Sequence, residues 1–280
     1  MQKIESLSEI RSVAAQHRSA GRTMALVPTS GALHAGHAAL IALAKSQADV
    51  VVVATFVNPL AFGPGENFAG YPRSPDADAK LCEELNVDVL FCPKTEEFFP
   101  EGHSTFVVEE AVSVPLCGVS RPTHFRGAIT AVAKMLNLIR PDLLVLGQRD
   151  AQLVAVVRRM IADLAFDSTV VVAPIMRDAD KLAIAVCNGE LTASQRNEAR
   201  AIPEALRRAR EMASQGVTSP DRIIAEVTHL LAEHRRVRII YIAIVDPATM
   251  EPQREVVPGG SLLALAAWVD EVRLIDNTPL

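Results

Sequence analysis

Residues 24–44 read MALVPTSGALHAGHAALIALA, and residues 50–57 read VVVVATFV. The first stretch opens on a short apolar run, Met24–Pro28, passes a turn carrying Gly31 and Gly36, and enters a helical segment, Ala38–Ala44. The second is a solid β-branched run, the pattern of a strand buried on both faces. The alternation continues outward from this pair. Helical spacing is predicted over Pro75–Leu85, Gly127–Ile139 and Ala151–Leu164, with strands over Val87–Phe91, Leu143–Leu146 and Ser168–Ala173. Strands alternating with helices of this length predict βαβ units, an α/β fold with a parallel sheet. Right-handed crossovers then line up the loops that follow the strands along one edge of that sheet.

The texture changes near Arg177. A long charged helix is predicted over Ala193–Ser214 and another over Pro220–Arg235, followed by strands over Val237–Val245, Ser261–Val269 and Glu271–Ile275. This is the signature of a smaller α+β domain, so the expected division is 1–176 and 177–280.

Composition narrows the function classes. With 28 basic against 33 acidic residues, a nucleic-acid partner held by a basic footprint is not expected. The longest apolar runs, Val50–Val57 and Leu262–Val269, fall far short of a bilayer span, and Met1–Ile10 has no apolar signal segment. The four cysteines, Cys82, Cys92, Cys117 and Cys187, show no CxxC spacing and read as reduced thiols of a cytoplasmic protein.

The most specific chemistry lies in Val27-Pro-Thr-Ser-Gly-Ala-Leu-His-Ala-Gly-His37. His34 and His37, three residues apart, share a face of the first helical turn. Gly31 and Gly36 allow close approach of a ligand to backbone, and a helix N-terminus favours phosphate. Two imidazoles there could donate to charge developing on a transferring phosphate. Two capping or solvated histidines, or a metal-binding pair lacking a recognisable third ligand, are the alternative readings.

This segment resembles the HxGH signature of the nucleotidyltransferase superfamily, and in its fuller form the pantothenate synthetase (pantoate–β-alanine ligase) family. Further matches follow in order at Phe56–Pro59, Phe62–Pro64, Tyr71–Arg73, Arg121–Gly127, Gly147–Gln152, Arg158–Met160 and Arg177–Asp180. The resemblance implies a Rossmann-like N-terminal domain, a small C-terminal lid domain and a homodimer. It implies adenylation of a carboxylic acid by ATP with Mg²⁺, then attack by an amine. Carried over by position, His34, His37 and Arg149 would act on the phosphates. Gly147 and Asp150 would hold the nucleoside, Pro28, Thr29, Gly31 and Gly36 would line the nucleotide side, and Asn58 would frame the acid.

Several positions depart from the family's pattern. Ser30 stands where the family has Met, and Arg149 where it has Lys. Ala61 and Leu153 replace the two glutamines that hold pantoate. Ile184-Ala-Val-Cys-Asn188 replaces Met-Ser-Ser-Arg-Asn, so that only Asn188 survives of the triphosphate loop. Cys187 reads either as a buried small hydrophobe or as a ligand or nucleophile facing the histidines. The leading expectation is an ATP-dependent ligase joining a carboxylic acid, not necessarily pantoate, to an amine through an acyl adenylate. A repurposed enzyme that no longer uses ATP, and a non-catalytic metabolite-binding protein, are the competing readings.

Overall fold

The computed structural model describes residues 1–280 and divides into two units. The first comprises Met1–Glu109, Arg121–Gly147 and Val156–Ala173; the second comprises Glu110–Ser120, Gln148–Ala155 and Pro174–Leu280.

The first unit is a six-stranded parallel sheet. In chain order its elements are β1 (Gln2–Ile4), α1 (Leu7–Ser19), β2 (Met24–Thr29), α2 (Ala35–Lys45) and β3 (Val50–Thr55). There follow α3 (Pro75–Glu84), β4 (Val89–Phe91), the short α4 (Thr95–Phe98), α6 (His124–Ile139), β5 (Leu143–Gly147) and β6 (Thr169–Ala173). The α5 turn (Cys117–Ser120) and the first five residues of α7 (Ala151–Asp163) belong to the second unit. The strand order is β1-β4-β3-β2-β5-β6, and every pairing is parallel.

The valine run at 50–53 is buried because β3 is an interior strand covered on both faces. Ala25, Val27, Val51 and Val53 share one face, packed with Ile41 and Ala44 of α2 and Cys82 of α3. After β2 the chain winds toward β3 and β4, and after β5 toward β6. The adjacent β2 and β5 are therefore the topological switch point, where ligands bind beyond the carboxyl ends of the strands. Pro28 and Thr29 end β2, and Gly147 ends β5.

The second unit holds the antiparallel sheet β7-β8-β9, formed by Val237–Val245, Leu262–Val269 and Val272–Pro279. Three helices accompany it: α8 (Ala193–Ala199), α9 (Ala201–Ser214) and α10 (Pro220–Ala232). The apolar faces of α9 and α10, with Ile202, Leu206, Ile223 and Val227, close over Leu263, Leu265 and Ala267 of β8.

Several details differ from the sequence reading. The single helix expected over 193–214 is two helices broken at Arg200, because Pro203 has no N–H to bond Ala199 and its ring crowds that carbonyl. The edge strand β1 was not expected, since Ile4 is its one apolar residue. The helix expected from Gly127 starts at His124, and the last strand extends to Pro279. Finally, two segments of the expected first domain cluster with the second unit. Asn277 Nδ2 donates to Gln148 O (2.9 Å) and Arg149 O (3.0 Å), Cys117 Sγ lies 3.1 Å from Tyr241 Oη, and Gln152 ties the two segments together through Val112 O (3.0 Å), Pro115 O (2.6 Å) and Cys117 N (3.0 Å). No helix is long and apolar enough to cross a membrane.

Gly127 makes the close approach between α6 and residues 58–61 possible. A Cβ there would fall 1.9 Å from Leu60 O. Gly127→Ala is expected to lower stability by about 1–3 kcal/mol, the scale of an overpacked site. Denaturant unfolding checks this; an unchanged midpoint would mean the two backbones separate freely.

Candidate active site

The loop leaving β2 is held by one carboxylate. Gly31 (φ +76°) and Ala32 (φ +49°) are both in the left-handed region, which a non-glycine residue enters at a cost. Asp78, in the first turn of α3 and only 4% exposed, offsets that cost. Its Oδ2 accepts from Ala32 N (3.0 Å) and its Oδ1 from Leu33 N (2.7 Å). A Cβ on Gly31 would meet Asp78 Oδ2 at 3.1 Å, so the glycine makes room for a carboxylate of the chain itself. Thr29 Oγ1 accepts from Gly31 N (3.2 Å) and donates to Ala54 O (3.0 Å), fastening the strand end to β3.

The clamped loop delivers His34 as the N-cap of α2, in a reciprocal capping box with His37. His34 Nδ1 accepts from Gly36 N (3.1 Å), and His37 Nδ1 accepts from His34 N (3.2 Å). A backbone N–H can only donate, so both Nδ1 atoms carry lone pairs and both neutral rings carry their proton on Nε2. The rings lie 4.0 Å apart, tilted by 34°. The capping reading is thus correct for Nδ1. Gly36 enters as the donor that fixes His34.

The segment after β3 is anchored from α6. Asn58 caps the turn Pro59–Ala61 by accepting from Leu60 N (3.0 Å), and its Nδ2 donates to Gly127 O (2.8 Å). The carbonyl of Ala61 takes His124 Nδ1 at 2.9 Å and Arg121 Nη2 at 3.3 Å. Arg121 also forks onto Glu66 through Nε (2.5 Å) and Nη2 (2.8 Å). The backbone of Ala61 is fixed by side chains, while its own side chain is a methyl group.

In the second unit, Gln148–Asp150 is a single 3-10 turn, with Arg149 Nη2 3.2 Å from Asp150 Oδ2. Leu153 lies half-buried one turn into α7. The altered loop is a second 3-10 turn, Val186–Glu190, in which Asn188 Nδ2 donates to Ala183 O (2.9 Å). Cys187 packs against the apolar core of this unit, and its thiol donates to Arg273 O (3.6 Å). Burial pushes that thiol up from its ordinary value, against a smaller opposing pull from Arg149. The geometry favours the small-hydrophobe reading of Cys187 over a thiolate.

Sequence reasoning overlooked Asp78, whose bonds span 45 and 46 residues. Its only local signal is an acid in a first helical turn, which reads as a dipole complement. Asp78→Ala should strand two backbone N–H groups, at about 1–3 kcal/mol each, and release the capping box. The ring resonances of His34 and His37 in NMR spectra should shift or broaden together. Unperturbed histidine resonances would contradict this clamp.

Comparison with known proteins identifies relatives along the whole chain. A profile of the family described as pantoate-beta-alanine ligase matches residues 2–279. The chain is 42% identical over 280 residues to the pantothenate synthetase of Thermotoga neapolitana, covering all of both chains. It is 43% identical over 277 residues to that of Heliobacterium modesticaldum, covering 99% of this chain and 98% of the relative. Among solved structures, pantothenate synthetase from Thermus thermophilus superposes with a TM-score of 0.94 at 37% identity, covering 100% and 99% of the two chains. The Francisella tularensis pantoate-beta-alanine ligase, complexed with beta-gamma ATP and beta-alanine, gives 0.82 at 28% identity, covering 100% and 97%. The match of sequence and fold along the whole length, with the paired histidines at the switch-point strand, establishes that this chain belongs to the pantoate–β-alanine ligase family.

Proposed function

We propose that the chain is an ATP-dependent carboxylate–amine ligase acting on an acid less polar than pantoate. The observation that carries the ATP reading is the histidine pair itself, held as a capping box at the start of α2, just beyond the carboxyl end of β2. Imidazoles fixed at a helix N-terminus suit charge developing on a phosphate. In this reading a carboxylate oxygen attacks the α-phosphorus of Mg-ATP and pyrophosphate leaves. The amine nitrogen then attacks the acyl carbon and AMP leaves.

Each unit contributes by its own residues. His34 and His37 donate to the phosphates, and Arg149 supplies the cation there. Pro28, Thr29, Gly31, Gly36, Gly147 and Asp150 shape the nucleotide side. Asn58 works indirectly, because both ends of its amide are spent on holding the acid-side loop. Ala61 and Leu153 present alkyl groups where relatives use glutamine amides, so hydroxyl groups on the acid would be buried without partners. That penalty favours an acid with fewer hydroxyls. The reading includes a cytoplasmic homodimer, Mg²⁺ arriving with the nucleotide, small-molecule acid and amine substrates, and no nucleic-acid or membrane partner. Residues 1–176 then act as the nucleotide-binding domain and 177–280 as the lid.

One observation favours the second reading, a repurposed protein that no longer uses ATP. Ala185, Val186 and Cys187 offer no cation or hydroxyl, and Cys187 is turned into the core.

Pyrophosphate release from Mg-ATP, driven by a panel of short-chain carboxylic acids, separates the two. The ligase reading expects release with at least one acid. It also expects His34→Ala and His37→Ala each to lower that rate by about 10²-fold or more, with stability lowered only on the scale of a lost helix cap, about 0.5–2 kcal/mol. No release with any acid, or wild-type rates in both variants, would sink it.

A further inference from the structure

The turn that carries Arg149 is held from the last strand of the chain. Asn277, only 3% exposed on β9, donates from Nδ2 to both Gln148 O (2.9 Å) and Arg149 O (3.0 Å). Its Oδ1 accepts from Gln148 Nε2 (3.1 Å). Both carbonyls are obligate acceptors, so the orientation of this amide is fixed by chemistry. An amide alone among the small side chains offers two donors and an acceptor in this arrangement; a carboxylate would set oxygen against oxygen.

Asn277 is itself locked. Its backbone N–H donates to Asp276 Oδ1 (2.8 Å), and Asp276 receives Arg177 in a two-pronged pair, Nη1–Oδ2 at 2.6 Å and Nη2–Oδ1 at 2.9 Å. Arg177 forms a bridge with Ala183, whose carbonyl accepts from Asn188. A continuous bonded path thus runs from the loop ending at Asn188, through Arg177, Asp276 and Asn277, to the backbone under Arg149.

We infer that Asn277 is a positioning residue for Arg149, locked in place by the buried Arg177–Asp276 pair. The inference rests on the role proposed for Arg149 toward phosphate. Because this chain's 185–187 segment has no cation, placement of Arg149 carries more of the phosphate recognition than it would beside a second one.

Equilibrium dialysis of the full-length chain with Mg-ATP, carried into the millimolar range, tests this with a double-mutant cycle. Arg149→Ala is expected to weaken binding by about tenfold or more, the loss of one charge-assisted contact. Asn277→Ala should weaken it by a comparable factor, and Asn277→Ser, which keeps one donor, by less. The double variant Arg149→Ala with Asn277→Ala should bind no worse than Arg149→Ala alone, because Asn277 acts through Arg149. Wild-type affinity in Asn277→Ala, or losses that multiply in the double variant, would overturn the inference and leave the ligase reading intact. Wild-type affinity in Arg149→Ala would overturn the role of Arg149 and the inference together. Where the wild type binds no Mg-ATP, the ATP reading fails, and hydrogen exchange over Gln148–Asp150 decides the positioning role. Faster exchange in Asn277→Ser supports the hold on the turn, and unchanged exchange overturns it.

Discussion

A single buried carboxylate decides how the loop that carries the histidine pair is held. Asp78 accepts two backbone N–H groups of a loop that passes through left-handed backbone at Gly31 and Ala32. The loop itself contributes Gly31 and the Thr29 hydroxyl that accepts from Gly31 N, and Asp78 pins the two N–H groups that follow. So held, His34 arrives in position to cap α2 and to be oriented by Gly36, and His37 is oriented in turn by His34. Orientation passes from a carboxylate to backbone to two imidazoles, and it fixes the proton of each ring as well as its place. Such preorganisation matters because a donor aimed beforehand needs no rearrangement as charge develops.

The same economy recurs elsewhere in the chain. Side chains that look like ligand contacts in the sequence are often spent on backbone. Asn58 binds Leu60 and Gly127, Gln152 binds three groups of the 112–117 segment, and Asn188 binds Ala183. These residues shape loops. The alkyl side chains of Ala61, Leu153, Ala185 and Val186 have no such duties, which is where substitution can change a ligand without costing the fold.

Most of the fold was legible in the sequence for one reason: strands covered on both faces leave continuous apolar runs, as at Val50–Val53. The parts that were not legible are set by contacts between distant residues. The edge strand Gln2–Ile4 has one buried side chain and pairs with β4 some 87 residues later by register alone. The clamp from Asp78 and the hold of Asn277 on Arg149 depend on which helix or strand tip the topology brings near a loop. No local spacing encodes that. The break at Arg200 was the opposite case, since Pro203 stood in plain view within the long helical pattern. The histidine pair was legible as a motif, yet its tautomers became visible only with the backbone donors in place.

The proposed function is that of an adenylate-forming ligase acting on an acid less polar than pantoate. Pyrophosphate release from Mg-ATP, compared between pantoate and the same acid lacking both hydroxyls, is its most direct test. The predicted result is release favouring the hydroxyl-free acid by about tenfold or more, since neither Ala61 nor Leu153 can hydrogen-bond a hydroxyl. A preference for pantoate, with β-alanine then carried through to pantothenate, would contradict it.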